Sequence, residues 1–258
     1  MMKTPTTMFK LLTTVVLALL ASAPFSAVAQ DIPRLPDGKP DFNGIWDRPR
    51  ISDISADVNG CGAGSTGCSS KSNGPVEFTA AGLAAHTGPK IDWPARCLPW
   101  GYTRANQTSY PVMYVQTPDV FAILFESNNI FHIVPTDGSE MPEDPEPTWM
   151  GKSVGHYEGD TLVIESAGFN GMSWLDNGAE HPSSDQMQIV ERIRHLDADT
   201  LEYKLTITDP AFYAKPIENT RVFVRMDEDA EIYEYWCMEN NKDLMDGLLS
   251  ETLTTEAH

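Results

Sequence analysis

The stretch "SWLDNGAEHPSSD" brings Asp176, Glu180, His181 and Ser184 close together in one polar loop. An aspartate that orients an imidazole makes an acid–base pair working near neutral pH. Glu180 is a rival carboxylate. Ser184 would complete a Ser-His-Asp set, but no G-x-S-x-G turn surrounds it. The plain alternative is a histidine that ties the loop. A second group lies in "ARCLPWGYTR", with Arg96, Tyr102 and Arg104. Two guanidinium groups can grip a carboxylate in bidentate fashion, or can simply pair with surface acids. Glu126 and His132 flank a hairpin in "FAILFESNNIFHIV". In "MQIVERIRHL", Met187, Ile189, Glu191, Ile193 and His195 fall on one strand face. The two polar groups either line a ligand cavity or reach the rim through strand twist. Tyr114 and Tyr203 sit on apolar strand faces, as core or as hydroxyl donors to a ligand. The expected acid–base groups are therefore His181, Asp176, Glu126 and Tyr102. The expected ligand-holding groups are Arg104, Arg96, His132, Tyr114, Tyr203, Glu191 and His195.

Metal and nucleotide chemistry lack their usual patterns. There is no H-E-x-x-H, no EF-hand loop, no CxxC and no G-x-G-x-x-G after a strand. The expectation is no metal and no cofactor.

These residues need elements to hold them. From residue 112 onward, short alternating runs are separated by turn residues: "VMYVQT", "VFAILFES", "IFHIVPTDG", a hairpin about Glu158-Gly159-Asp160, then "MQIVERIRHL", "TLEYKLTITD", "TRVFVRM" and "EIYEYWCMEN". In "TLEYKLTITD", Leu201, Tyr203, Leu205 and Ile207 share a face. About eight to ten antiparallel strands with mainly short connections predict an all-β, up-and-down barrel, wide enough inside for one small ligand. "PVEFTAAGLAAHTG" reads as a short helix, and "PARCLPWGYTRANQTSYP" as an irregular loop.

The chain opens with Lys3, Lys10, an apolar run from Leu11 to Leu20 and Ala27-Val28-Ala29, the pattern of a cleaved Sec-type signal peptide over residues 1–29. Residues 30–111 then form an N-terminal arm, a first strand and a disulfide loop packed on the barrel. Residues 112–240 supply the main strands, and 241–258 a tail that frays. Of 258 residues, 18 are basic and 37 acidic, a net charge of −19. Without the two leader lysines the balance is 16 against 37, or −21. Such a surface repels nucleic acid and anionic membranes. The four cysteines suit an oxidising, periplasmic or secreted setting. Of three possible pairings, the Gly- and Ser-rich "CGAGSTGC" favours Cys61–Cys68, leaving Cys97–Cys237 to staple the early chain to the last strand. No membrane anchor is expected, and the oligomeric state is left open.

Gly44-Ile45-Trp46 resembles the G-x-W of the first strand in lipocalin and avidin-type calycin barrels, where the tryptophan plugs the closed end. "LPDGKPDFNGIWDR", "ARCLPWG", "DPEPTWMGKSVGHYEGDTLVIESAGFN", "SWLDNGAEHPSSD" and "EYWCMENN" together resemble a large family of exported bacterial proteins, mostly of unknown function. The likeness covers most of the chain after residue 35. It implies a lipocalin-like barrel and, for some members, cofactor-free decarboxylation of lignin-derived aromatic acids. Phenolic acid decarboxylases offer an analogy of fold only.

Such a reaction needs a base or acceptor at the phenol, an acid at the alkene carbon beside the carboxylate, and apolar walls that favour loss of CO2. Tyr, Glu, His and Arg turned into one barrel would supply it. The implied ligand is a small aromatic or amphipathic molecule. A non-catalytic carrier of such a ligand would instead have an almost wholly apolar lining.

Overall fold

The computed structural model describes residues 32–239, with Met1, Asn241 and Lys242. The expected leader and nearly all of the expected tail lie outside the described residues. Strands β1 (Gly44–Asp47), β2 (Val58–Asn59) and β3 (Ser69–Ser72) come first. Helix α1 (Ala80–Thr87) follows, where Thr79 accepts a hydrogen bond from the Gly82 amide as its N-cap. A 3₁₀ turn (Trp93–Arg96) and the one-turn helix α2 (Tyr102–Ala105) occupy the segment expected to be irregular. Then come β4 (Val112–Gln116), β5 (Val120–Phe125), β6 (Phe131–Pro135), β7 (Lys152–Glu158), β8 (Thr161–Ala167), β9 (Gln188–Asp197), β10 (Thr200–Thr208) and β11 (Ile217–Arg225).

The strands pair in the order β6-β5-β4-β1-β11-β10-β9-β8-β7, every pair antiparallel. Read as a ring, this is the up-and-down order of a barrel, nearly closed, with its seam between β6 and β7. Short β1 pairs with only the end of β11, at Val224 and Arg225. β3 takes over alongside β11 from Asn219 to Val222, so β11 keeps a neighbour along its length. The disulfide Cys61–Cys68 closes the loop that leads into β3.

Alternation decides which side chains enter. Cross-strand partners share a face, so the register carries one inward set around the sheet. Tyr114 opposes Ile123, which opposes His132. Phe223 opposes Leu201, and Tyr203 opposes both Arg221 and Ile193. Leu205 opposes Glu191, which opposes Ile164. Nearly all of these are fully enclosed.

The seam is made by side chains. His132 on β6 meets Ser153 on β7, Nε2 to Oγ 2.5 Å, and Ser153 meets Ser166 on β8 at 2.5 Å. A Cβ on Gly155 would stand 3.0 Å from side-chain carbons of Val134 and Thr136, so glycine allows β7 its approach to β6.

One expected strand is absent. "EIYEYWCMEN" runs as irregular chain among the described residues. Its backbone groups are met by side chains: Glu126 accepts from the Tyr233 amide at 3.1 Å, and the Asn129 amide group pairs with Tyr235 N and O at 3.2 and 2.8 Å. Cys237, bonded to Cys97, therefore fastens an irregular segment to the loop after the 3₁₀ turn, and no last strand is involved.

Trp46 is wholly enclosed. Its indole N–H donates to Phe42 O at 3.0 Å, and the Arg225 guanidinium lies 4.3 Å from its ring centre. Its one donor is used, as befits a structural plug.

Candidate functional site

The barrel interior gathers a polar cluster about Glu191. The β9 register turns this carboxylate inward between Ile164 and Leu205. α2 crosses one end and lowers Tyr102 onto it, so that the phenol hydroxyl lies 2.7 Å from both carboxylate oxygens. Tyr203 donates its hydroxyl to Glu191 Oε1 from β10, and Asn106, just past α2, reaches the same oxygen at 3.4 Å and Tyr203 Oη as well. Two guanidinium groups close the cluster. Arg221 donates to Asn106 O at 3.1 Å and to Asn219 Oδ1 at 3.2 Å. Arg48 donates to Asn106 Oδ1 at 3.0 Å, Ala105 O at 2.9 Å and Tyr110 O at 2.9 Å. The Tyr114 hydroxyl has no hydrogen-bond partner among the described residues.

Burial sets the charges here. It pushes the Glu191 carboxyl up from its ordinary value, against the opposing pull of the Tyr102 and Tyr203 hydroxyls and the Arg221 charge. Burial first, then the nearby carboxylate, raises the Tyr102 and Tyr203 phenols well above theirs, so both stay neutral donors. Burial likewise raises Tyr114, and lowers Arg221 and, to about 10, Arg48. His132 is pushed down to about 4 by burial alone and is neutral at pH 7. Its ring centre is 4.6 Å from that of Tyr102. The arrangement therefore holds a carboxyl with a lifted proton affinity, neutral phenol donors and two cations.

Of the expected site residues, Tyr102, Tyr203, Glu191, Tyr114 and His132 meet here. The suggestion that strand twist carries Glu191 and His195 to the rim is overturned, since both are enclosed. His195 nevertheless stands apart. It stacks on Phe42, ring centres 5.1 Å apart, and bonds to the carbonyls of Asp41 and Asp197, each at 2.9 Å. Both ring nitrogens thus face backbone carbonyls, to one of which the neutral ring donates, and its expected ligand-holding role is corrected to a structural one. Glu126 is corrected too: it lies outside the barrel and anchors Tyr233.

His181 and Asp176 do form a pair, Nδ1 to Oδ2 2.6 Å, in the loop after β8. Asp176 also accepts from the Ile54 amide at 2.9 Å. Phe78 and His86 pack against the imidazole, the His86 ring stacked with centres 5.4 Å apart. None of these contacts reaches Glu191, so the dyad is not part of the interior cluster. Asp53 Oδ1 is 4.0 Å from His181 Nδ1, and with Asp176 makes a set of three possible metal ligands that the sequence spacing did not show. Ser184 gives its hydroxyl to Asp209 at 2.6 Å, which removes it from any triad with His181. Glu180 pairs with Lys90 at 2.9 Å.

Arg104 makes its contacts away from the Glu191 carboxylate that Tyr102 meets. Its guanidinium lies 5.1 Å from the Trp100 ring centre and 4.5 Å from that of Trp174, and bonds Asn177 Oδ1 at 2.9 Å and Asp92 Oδ1 at 2.5 Å. Arg96 lies over Trp93 instead, 5.8 Å from its ring centre. The expected clamp of Arg96 with Arg104 does not form.

Sequence reasoning missed Arg48, Arg221, Asn106 and Asn219. Arg221 and Asn219 had a signal, the alternation Ile217, Asn219, Arg221, Phe223 along β11. Arg48 directly follows β1, and Asn106 follows a helix of one turn, so neither has a period to reveal it. Both disulfides, Cys61–Cys68 and Cys97–Cys237, pair as expected. No helix among the described residues is long and apolar enough to cross a membrane. In comparisons with known proteins, no family model and no curated protein matches this chain.

Proposed function

We propose that the protein is an exported, cofactor-independent lyase that decarboxylates a lignin-derived phenolic acid of the p-hydroxycinnamate type inside its barrel. The observation that carries this reading is the Glu191 cluster: a fully buried carboxyl whose hydrogen-bond donors are two phenols and an amide. In this scheme the phenolic proton passes to an acceptor in the cluster. Glu191, which burial makes readier to hold a proton, delivers its own proton to the alkene carbon beside the carboxylate and takes up another from solvent before the next turnover. The carbon–carbon bond then breaks, CO2 leaves, and the electron pair restores the alkene as the phenol regains its proton. Arg48 and Arg221 stabilise the anionic substrate.

The polar interior weighs against an apolar carrier. The two disulfides, with the leader pattern, support export to the periplasm or beyond. The family likeness of the sequence supports the reaction class by association only. The experiment is direct: metal-free mature protein is incubated with a panel of phenolic and dimeric aromatic acids, and CO2 and the decarboxylated product are measured. Turnover that Glu191→Gln abolishes is the expected result. Release from no acid in the panel defeats the lyase, and binding without release makes the protein a carrier.

A further inference from the structure

Outside the barrel, a groove of about 380 Å³ lies against α2. This is within the ~300–1,000 Å³ of small-molecule sites. Arg50, Trp100, Arg104, Tyr110 and Asn177 line it. Two cations facing one groove stand out in a chain with 18 basic and 37 acidic residues.

The two arginines differ in a useful way. Arg104 is 7% exposed and held from both sides, its guanidinium against Trp100 and Trp174 and its Nε on Asn177. It is a pre-oriented fork, with little side-chain entropy left to lose on binding. Asp92 takes one of its nitrogens, while Nη2 has no partner among the described residues. Arg50 is exposed and has neither ion pair nor hydrogen bond among the described residues. A fixed guanidinium with one nitrogen left open and a free cation, beside the rings of Trp100 and Tyr110, match a carboxylate joined to an aromatic ring.

We propose that this groove is a binding site for an aromatic carboxylate, separate from the Glu191 cluster and formed by Arg104, Arg50, Trp100 and Tyr110. It shares its ligand class with the lyase reading but none of its residues. α2 separates the two places, Arg104 on one side and Tyr102 on the other.

Calorimetric titration of the mature protein with ferulate, and with its neutral methyl ester, tests this. Titrating the Glu191→Gln protein keeps turnover from masking the heats. The expected result is saturable binding of ferulate, at least tenfold weaker binding of the ester, and a loss of tenfold or more in ferulate affinity when Arg50→Gln is added. Arg50 is exposed, so that variant folds; Arg104→Lys, which keeps the charge but loses the stacked fork, gives a second loss. No binding, equal affinity for the ester, or affinity indifferent to Arg50→Gln overturns the groove. Binding abolished by Glu191→Gln alone overturns it as well and places the ligand in the barrel. Groove binding without CO2 release from the wild-type protein leaves this site standing while the lyase falls.

Discussion

Glu191 in the barrel and Asp176 in the loop after β8 are both completely buried carboxylates. The sequence marks Asp176 as an acid–base group and Glu191 as a ligand-holding one, and their surroundings separate them. Asp176 is bonded to an imidazole and to a backbone amide 122 residues away in sequence, and each of these bonds fixes chain to chain. Glu191 is bonded only by side chains, and they are neutral hydroxyls and an amide. A carboxylate whose bonds tie one stretch of chain to another holds a shape. One whose partners are rotatable side chains can exchange them for a ligand. Burial alone does not mark a functional acid; the kind of partner does.

That contrast can be broken experimentally. The largest effect should come from Glu191→Gln, which keeps the volume and removes the proton: decarboxylation falls by about 10²–10⁴-fold, the usual contribution of a placed acid–base group, with the folded state retained. A variant that folds and still turns over at the wild-type rate would end the distinction.

Next is the pH dependence of stability. His132 has its pKa depressed from 6.5 to about 4 in the folded protein. The unfolded chain therefore binds more protons between those values, so stability should rise with pH from about 4 to about 6.5 and be lost as pH falls through that window. The size is on the order of 3 kcal/mol. Urea melts across this range should show the slope, and His132→Asn should flatten it.

Asp176→Ala should cost about 2 kcal/mol of stability, because it leaves the Ile54 amide and His181 without their acceptor. The protein that remains folded should keep its specific activity, which a steady-state assay normalised to folded protein would check. Glu126→Ala should be smallest, within about 0.5 kcal/mol, since only one exposed bond to Tyr233 is lost. A larger shift would mean that the segment after β11 supports the barrel.

The strands were legible because a barrel writes its inside and outside in alternate letters. Leu201, Tyr203, Leu205 and Ile207 announced β10 and its buried face, and Glu191 appeared on the inward side of β9. The same rule misled at "EIYEYWCMEN". Alternation shows that a strand could pair, but pairing needs an available edge, and there the side chains of Glu126 and Asn129 satisfy the backbone instead. The site was half legible. Tyr203 and Glu191 lie on periodic strands, whereas Arg48 and Asn106 lie just outside elements and enter the cluster only through the way distant segments meet. His181 and Asp176, five residues apart in one loop, do bond to each other. Their distance from Tyr102 depends on the path of the whole chain. The groove joins Arg50 to Arg104 across more than fifty residues, and no local pattern could have linked them.

The seam between β6 and β7 has a consequence for how the molecule breathes. Elsewhere around the ring, neighbouring strands are joined by a ladder of amide bonds, which opens only as a unit. At the seam the joint is a histidine, two serines and the close approach at Gly155, and rotamer changes can undo it. Amide protons on the flanks of β6 and β7 should exchange with solvent sooner than those of β10, which is paired on both sides along its length. The cylinder thus has a direction in which it yields, and protonation of one buried imidazole would loosen it.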